Sequence, residues 1–200
     1  MPFPSQPVLA NFNVDLNPYT NALLSGISNL KSLSGVGRAI TTGGFGANTA
    51  QQMVTEDGEV YITITTIPAT TKRVILVARD DHAGNALLIL VTNNGAGAAD
   101  VALFTEISSS FALVSHAGQT WGTNDVVGMA MAGGTIDTYW NGTNILHDTG
   151  IGVRGAGYLG FSTDEETPQV DDFGGGPLVV SGAGTAAGRL YMMGQGMGMR

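Results

Sequence analysis

Hydrophobic and polar residues alternate along much of this chain with the two-residue period of a β-strand. The clearest case is GEVYITITTI (58–67), in which Val60, Ile62 and Ile64 are separated by tyrosine and threonine. Successive side chains of a strand point to opposite faces, so this pattern predicts a strand with one buried face. No segment has a sustained 3.6-residue apolar period, and a helical bundle is therefore not expected.

Two continuous apolar runs, RVILVAR (73–79) and ALLILVT (86–92), indicate central strands that are covered on both faces. Turn-forming residues (80–85) separate them, and the dipeptide Asn141-Gly142 predicts a tight hairpin. Many short strands with regular turn signals are typical of a β-sandwich or a β-barrel. The other predicted strands are 7–12, 36–41, 100–105, 111–115, 125–131, 135–140, 143–148, 157–162 and 168–173.

Composition narrows both the fold and the function. Charged residues make up only 12% of the chain and glycine accounts for 30 of its 200 residues, which favours turn-linked strands over helices. The formal net charge of −8 disfavours nucleic-acid binding, because that function needs clustered Lys and Arg. Since the chain has no cysteine, disulfides, thiol catalysis and thiolate zinc sites are excluded.

Two features bear on localisation. The segment MPFPSQPVLANF (1–12) has neither the charged start nor the continuous apolar stretch of a secretory signal. No apolar run approaches the roughly 20 residues that cross a bilayer as a helix. We therefore expect a soluble protein that is made and folded in a cytoplasm and has no membrane partner.

Several motifs together resemble one superfamily. They are Asn11-Phe12-Asn13, GEVYITITTIP (58–68), YWNGT (139–143) and GYLGFSTDEETPQVDDFGGG (157–176). They are similar to the concanavalin A-like lectin/glucanase superfamily in its laminin G-like form. The resemblance covers 8–176 and implies an all-β jelly-roll sandwich of two curved antiparallel sheets, in which the last strand (168–173) lies beside the first (8–13). An extended N-terminal arm (1–7) and a C-terminal arm (177–200) are predicted to flank this domain.

The last part of the chain differs from the rest. Residues 174–200 contain no acidic residue, whereas the preceding part carries all 16 acids. The segment is rich in glycine and methionine, which leaves two interpretations: an arm that orders against a partner, or a disordered tail. We favour the arm, with Gly174-Gly175-Gly176 as its hinge. Its candidate partner-binding residues are Arg189, Tyr191, Met192, Met193, Met197, Met199 and Arg200.

The acidic residues are the candidates for catalytic groups and metal ligands. The Glu-x-Asp-x-Glu arrangement of glucanases, which places carboxylates on one strand face, is absent. Asp171 and Asp172 are consecutive, so strand alternation predicts opposite faces and excludes a catalytic pair. Asp171 should share the buried face with Phe173 and accept hydrogen bonds from backbone N–H groups of the first strand. The alternative, offered by some relatives in the superfamily, is a calcium ion at Asp171.

Histidines and aromatic residues give weaker signals. His82, His116 and His147 are isolated in or beside predicted turns, and we interpret them as exposed turn residues rather than as bases or ligands. The large aromatic residues suit either a sugar-stacking platform or packing within the sandwich, and we favour packing. These residues are Trp121, Tyr139 and Trp140.

The sequence leads to one main functional prediction and one alternative. Similar domains serve as adhesive, decorating or tail-associated modules in bacterial surface proteins and tailed-phage virions. The resemblance and the lack of a catalytic constellation predict a non-catalytic virion structural protein, in a capsid or a tail, bound to other virion proteins and to copies of itself. The alternative is a carbohydrate-binding module or adhesin for host-surface glycans, using the concave sheet or loops 80–85, 93–99 and 163–167. An enzyme ranks third, because the carboxylate motif of glucanases is absent, although the same sandwich fold hosts glucanases, lectins and inert scaffolds.

Overall fold

The structure is a computed structural model, which describes residues 3–16, 19–39, 45–49, 53, 55–153, 155–165 and 167–178. The described part contains strands, turns and loops, and no helix. In chain order the strands are β1 (Val8–Ala10), β2 (Leu24–Ser28), β3 (Leu30–Leu33), β4 (Val36–Ala39), β5 (Phe45–Thr49), β6 (Gly58–Thr66), β7 (Arg73–Asp80), β8 (Ala86–Gly95), β9 (Ala98–Ile107), β10 (Ser110–Thr120), β11 (Asp125–Ala132), β12 (Thr135–Trp140), β13 (Thr143–Asp148), β14 (Tyr158–Thr163) and β15 (Gln169–Pro177).

These strands form two antiparallel sheets. Sheet A has the order β13-β12-β11-β6-β15-β4-β3, with β1 also paired to β15, and sheet B has the order β10-β9-β8-β7-β14-β5-β2. The last strand lies beside the first, since Val8 pairs with Gly174 and Ala10 with Phe173. This neighbouring position confirms the prediction made from the sequence. The described part of the chain contains no helix and therefore no helix that could span a membrane.

The hydrophobic core lies between the two sheets. On β6, Val60, Ile62 and Ile64 are at most 2% exposed, as the alternation predicts, but Glu59 and Tyr61 on the opposite face are buried as well, so the strand does not have only one buried face. Trp121 and Trp140 are buried as well, with ring centroids 5.4 Å apart in an edge-to-face arrangement. Packing, rather than sugar stacking, is therefore the role of both tryptophans.

The two central apolar strands differ from their prediction. On β7 and β8 alternate residues are buried, whereas Ile75, Val77, Leu88 and Leu90 are only half-buried. The expectation that both faces of these strands are covered is wrong. An apolar row that faces solvent has the same sequence pattern as a buried row, so the sequence alone could not distinguish them.

The Asp171-Asp172 pair also departs from prediction, because β15 contains a bulge. Asp172 has a φ of 44°, and the pairing of β15 with β6 shifts between Asp171 and Gly174. The extra residue places Val170 and Phe173 together in the core and leaves both carboxylates half-buried. Asp171 Oδ1 accepts a hydrogen bond from the backbone N of Asp172, at 2.8 Å, so the predicted anchor to the first strand is wrong.

The electrostatics of Asp171 follow from this position. Burial raises the pKa of Asp171, and the nearby charge of Asp172 raises it further, against the hydrogen bond from the Asp172 backbone. Among the described residues no cluster of three or more His, Asp or Glu side chains could hold a metal ion. Within the described part of the chain, Asp171 therefore belongs to no set of three such side chains that could hold a calcium ion.

The three glycines after Phe173 are part of the sheet, so their prediction as a hinge is wrong. Gly174, Gly175 and Gly176 pair with consecutive residues of β6, and β15 continues to Pro177. A Cβ on Gly174 would lie 2.3 Å from Cζ of Tyr61, because the tyrosine ring lies against this strand. The glycines thus permit close packing. Within the predicted C-terminal arm, 179–200 lies outside the described residues, as do its candidate partner-binding residues Arg189, Tyr191, Met192, Met193, Met197, Met199 and Arg200.

Candidate functional site

The outer face of sheet B, which points away from the core, carries a continuous apolar surface. Four adjacent strands contribute to it, because alternate residues of β7, β8, β9 and β10 share this face. Most of these side chains are half-buried or exposed; Leu113, for example, is 54% exposed. The cross-strand register arranges them in two rows, Val77–Leu88–Phe104–Leu113 and Ile75–Leu90–Ala102.

A first pocket opens at one end of these rows and has a volume of about 280 Å³. Val77 and Leu88 contribute its apolar lining, while Asn48, Asp80 and Glu106 contribute polar groups. Three elements of sheet B, β5, β7 and β9, therefore bring an amide and two carboxylates to one depression.

Hydrogen bonds fix the polar side of the first pocket. Asp80 Oδ1 accepts from the backbone N of His82 at 2.8 Å, and Asp80 Oδ2 accepts from Asn48 Nδ2 at 3.4 Å. The His82 ring lies 3.1 Å from Asp80 Oδ2 and stacks on Tyr158, with centroids 4.2 Å apart. A Cβ on Gly160 would lie 1.9 Å from Asn48 Oδ1, so the glycine makes room for the amide.

Glu106 completes the first pocket from β9. Its neighbours across the strands are Ala86 on β8 and Phe111 on β10. Among the described residues, none forms a hydrogen bond or an ion pair with the Glu106 carboxylate. Both of its oxygens can therefore accept hydrogen bonds from a ligand.

A second pocket of about 280 Å³ lies at the other end of the apolar rows. Its polar lining includes Arg73, Asp100 and His116. Arg73 is already paired, because its Nε lies 3.0 Å from Asp164 Oδ2. Burial by itself raises the pKa of Asp164, but hydrogen bonds from the Arg73 backbone and guanidinium, together with its charge, outweigh burial and lower that pKa.

The histidines lie beside carboxylates, which the sequence did not indicate. His116 Nδ1 is 3.1 Å from Asp100 Oδ1, and His147 Nδ1 is 2.6 Å from Asp137 Oδ1. Both side chains are more than 60% exposed, as predicted, but they lie within β10 and β13 rather than in turns. His82 does occupy the predicted turn between β7 and β8.

Sequence reasoning found part of this site. The predicted glycan-contact loop 80–85 supplies Asp80, and loop 163–167 supplies Asp164 beside the second pocket. Asn48 and Glu106 were missed, because each is a single polar residue within a strand. The cross-strand register, which depends on distant parts of the chain, brings them together.

No protein-family model matches the chain, and no curated protein matches it in sequence. Solved structures do match its fold. The carbohydrate-binding module CBM66 from Bacillus subtilis has a TM-score of 0.61 and 13% identity, over 78% of this chain and 96% of that one. The exoplasmic/lumenal domain of VIP36, bound to Ca²⁺ and Man2, has a TM-score of 0.62 and 11% identity, over 86% and 88%.

A β-glucanase from Bacillus licheniformis is also similar, with a TM-score of 0.59 and 10% identity, over 84% of this chain and 96% of that one. At such identities these matches show the fold alone. The protein is an all-β jelly-roll sandwich, a fold that it shares with these solved structures. The predicted fold class is confirmed, and so is the resemblance as far as it concerns the fold.

Proposed function

We propose that the protein is a non-catalytic carbohydrate-binding module, with its glycan site on the apolar outer face of sheet B that joins the two pockets. The observation that carries this proposal is the first pocket, in which Asn48, Asp80 and Glu106 surround an apolar lining. A sugar presents hydroxyl groups on its edges and C–H groups on its faces. Ligand sites of this kind combine apolar walls with a few placed polar groups.

The polar groups are suited to hydroxyl ligands. Asp80 is held by His82 and Asn48, so its carboxylate is oriented before a ligand arrives. An amide donates and accepts hydrogen bonds, and a carboxylate accepts several, so Asn48 and Glu106 supply complementary partners for neighbouring hydroxyls. Hydrogen bonds to charged groups contribute more than neutral ones. Preorganisation reduces the entropy that binding costs.

The two pockets suit an extended ligand. Glu106 in the first pocket and Asp100 in the second lie on the same face of β9, six residues apart. At about 3.3 Å per residue this corresponds to roughly 20 Å along the strand. The apolar rows join the two pockets, so an oligosaccharide chain is a better fit than a single sugar. Similar folds named as carbohydrate-binding or glycan-bound, CBM66 and VIP36, support the proposal.

Carboxylate spacing favours binding over hydrolysis along β9. A retaining glycosidase needs two carboxylates about 5 Å apart, and the inverting arrangement needs less than about 10 Å. Asp100 and Glu106 are too far apart for either. Asp80 and Glu106 share the first pocket, and a hydrolase would have to use this pair. Asp80, however, already accepts hydrogen bonds from His82 and Asn48, which suits a fixed acceptor.

Calorimetric titration with oligosaccharides chosen from a glycan array tests the proposal. Glu106→Gln should weaken binding about tenfold, because it removes a charged acceptor without changing shape. Asp137→Asn is the matched control, since it removes one carboxylate from the outer face of sheet A. No glycan binding at millimolar concentration, or equal losses in both variants, would contradict the proposal. Sugar release that disappears in Glu106→Gln would instead indicate a hydrolase.

The virion role stays a prediction, and glycan binding is compatible with it. It depends on the C-terminal arm, whose first residues extend the sheet: Leu178 donates its backbone N–H to Asp57 O. The informative deletion therefore begins at residue 179. Loss of incorporation into particles by a folded, glycan-binding protein lacking 179–200 would support assembly through the arm. Unchanged incorporation would contradict it.

A further inference from the structure

The outer face of sheet A contains an aromatic slot, which the chain's own N-terminal segment fills. The Phe3 ring stacks on Tyr139, with centroids 4.3 Å apart and planes 5° apart, and meets Tyr61 edge to face at 6.3 Å. Gly128 forms the base of the slot, since a Cβ there would lie 2.4 Å from Phe3 Cζ. The slot is thus shaped for a phenyl ring.

A buried carboxylate beside the slot binds the backbone of the same segment. Glu59 is 2% exposed, and its Oε1 accepts hydrogen bonds from the backbone N atoms of Ser5 and Gln6. Glu59 Oε2 accepts from Ser5 Oγ at 3.0 Å, and the Tyr61 hydroxyl donates to Gln6 O at 3.0 Å. Glu59 is buried where the segment lies over it, and two consecutive N–H groups of an extended peptide satisfy its carboxylate there.

The segment itself has the properties of an exchangeable ligand. Residues 3–7, FPSQP, contain two prolines, which restrict the unbound chain and reduce the entropy lost on docking. Its partners Glu59 and Tyr61 are more than 50 residues away in sequence, so the contacts do not depend on a local turn. The following strand β1 has only three residues and an irregular register. The contacts with Glu59, Tyr61 and the aromatic slot therefore hold this segment in place more than the pairing of β1 does.

We infer that this face is a peptide-binding site that exchanges its occupant, and that the partner is residues 3–7 of a second copy of the chain. Reciprocal exchange between two copies would restore the stacking of Phe3 and the hydrogen bonds to Glu59 and Tyr61, so it costs little, and it generates a symmetric dimer. The segment carries no charged side chain, so it can approach a protein of net charge −8 without repulsion. A tethered segment acts at a millimolar effective concentration, so exchange needs high local concentration, as in an assembly.

A peptide-binding experiment tests whether the outer face of sheet A is a peptide-binding site. The probe is a dye-labelled peptide of residues 3–10, FPSQPVLA, added to the full chain. Phe3→Ala weakens the internal occupant, so this variant should bind the probe at least about tenfold more tightly than the wild type does. When Glu59→Gln is added to the Phe3→Ala variant, probe binding should weaken about tenfold. A probe that has Ala in place of Phe should not bind to the Phe3→Ala variant. A Phe3→Ala variant that melts cooperatively but does not bind the probe overturns the proposal.

Sedimentation equilibrium tests whether two copies of the chain exchange residues 3–7 and form a dimer. Between about 10 µM and about 1 mM, a range that reaches typical effective concentrations, the wild type should shift towards twice the monomer mass. The Phe3→Ala variant should remain monomeric over the same range. Tagged and untagged wild-type chains should also form mixed dimers on incubation. A wild type that stays monomeric at the highest concentration, or a Phe3→Ala variant that dimerises equally, overturns arm exchange.

Discussion

On the outer face of sheet A, Tyr61 and Tyr139 are covered by Phe3 of the chain's own N-terminal segment. On the outer face of sheet B, the apolar rows around Leu88 and Phe104 remain half-exposed between two pockets. One sandwich thus has one face closed by its own chain and one open face, which is the proposed glycan-binding face. The closed face should contribute to stability and the open face to binding, because burial stabilises and exposed apolar pockets bind ligands.

The largest expected effect comes from adding a methyl group beneath Tyr61. In Gly174→Ala the new Cβ would lie 2.3 Å from the tyrosine ring, within a strand paired on both sides. Such overpacking should lower the free energy of unfolding by about 3 kcal/mol, measured by urea denaturation. Gly118→Ala, on edge strand β10 of sheet B, is the matched control, because its Cβ would meet no atom within 4 Å. Equal losses in both variants would contradict the closed-face interpretation.

Truncating Phe3 measures what the covering segment contributes. Phe3→Ala removes a stacked pair and half-buried apolar area, and should lower the free energy of unfolding by about 2 kcal/mol. Leu113→Ala on the open face, where the side chain is 54% exposed, should cost about 0.5 kcal/mol or less. Denaturant unfolding of both variants under the same conditions measures the two losses in the free energy of unfolding. If Leu113→Ala costs as much as Phe3→Ala, the two faces do not differ in this way.

The sequence predicted the parts of this fold that depend on local pattern. Strand alternation located β6, and Asn141-Gly142 forms the predicted hairpin, with φ angles of 50° and 78° that suit a type I′ turn. The bulge at Asp172 was not predictable, because it requires a positive φ at a residue that also fits a regular strand. Glu106 was missed because its role depends on which distant strands lie beside it.

The closed face should also have a distinctive response to high pH. Burial raises the pKa of Tyr61 to about 12, and the charges of Asp172 and Glu59 contribute. The unfolded chain loses this proton near pH 10, so between pH 10 and 12 the folded state binds more protons. Stability should therefore fall as pH rises through that window.

Chemical denaturation of the wild type and Tyr61→Phe from pH 9 to pH 12 measures this contribution. The variant lacks the hydroxyl that bonds Gln6 O, so it should start less stable. Its stability should then fall less steeply with pH, and the two curves should converge. Parallel curves would show that Tyr61 titrates as it does in the unfolded chain.

The smallest expected effects oppose each other in sign, at Asp171 on sheet A and Asp164 beside sheet B. The folded-state pKa of Asp171 is raised, chiefly by burial, so its ionised form destabilises the fold at neutral pH. Asp171→Asn should raise the free energy of unfolding at neutral pH, and the gain should vanish in acid, where the wild-type carboxyl is protonated in both states.

The pKa of Asp164 is lowered: burial opposes ionisation, but the hydrogen bonds and charge of Arg73 outweigh burial. Asp164→Asn should therefore lower neutral-pH stability by less than about 1 kcal/mol, since the pair is partly exposed, and the loss should disappear as pH falls. Unfolding measured from neutral to acid pH should show the two variants approaching the wild type from opposite sides, and a shift of the same sign in both would contradict this assignment of their environments.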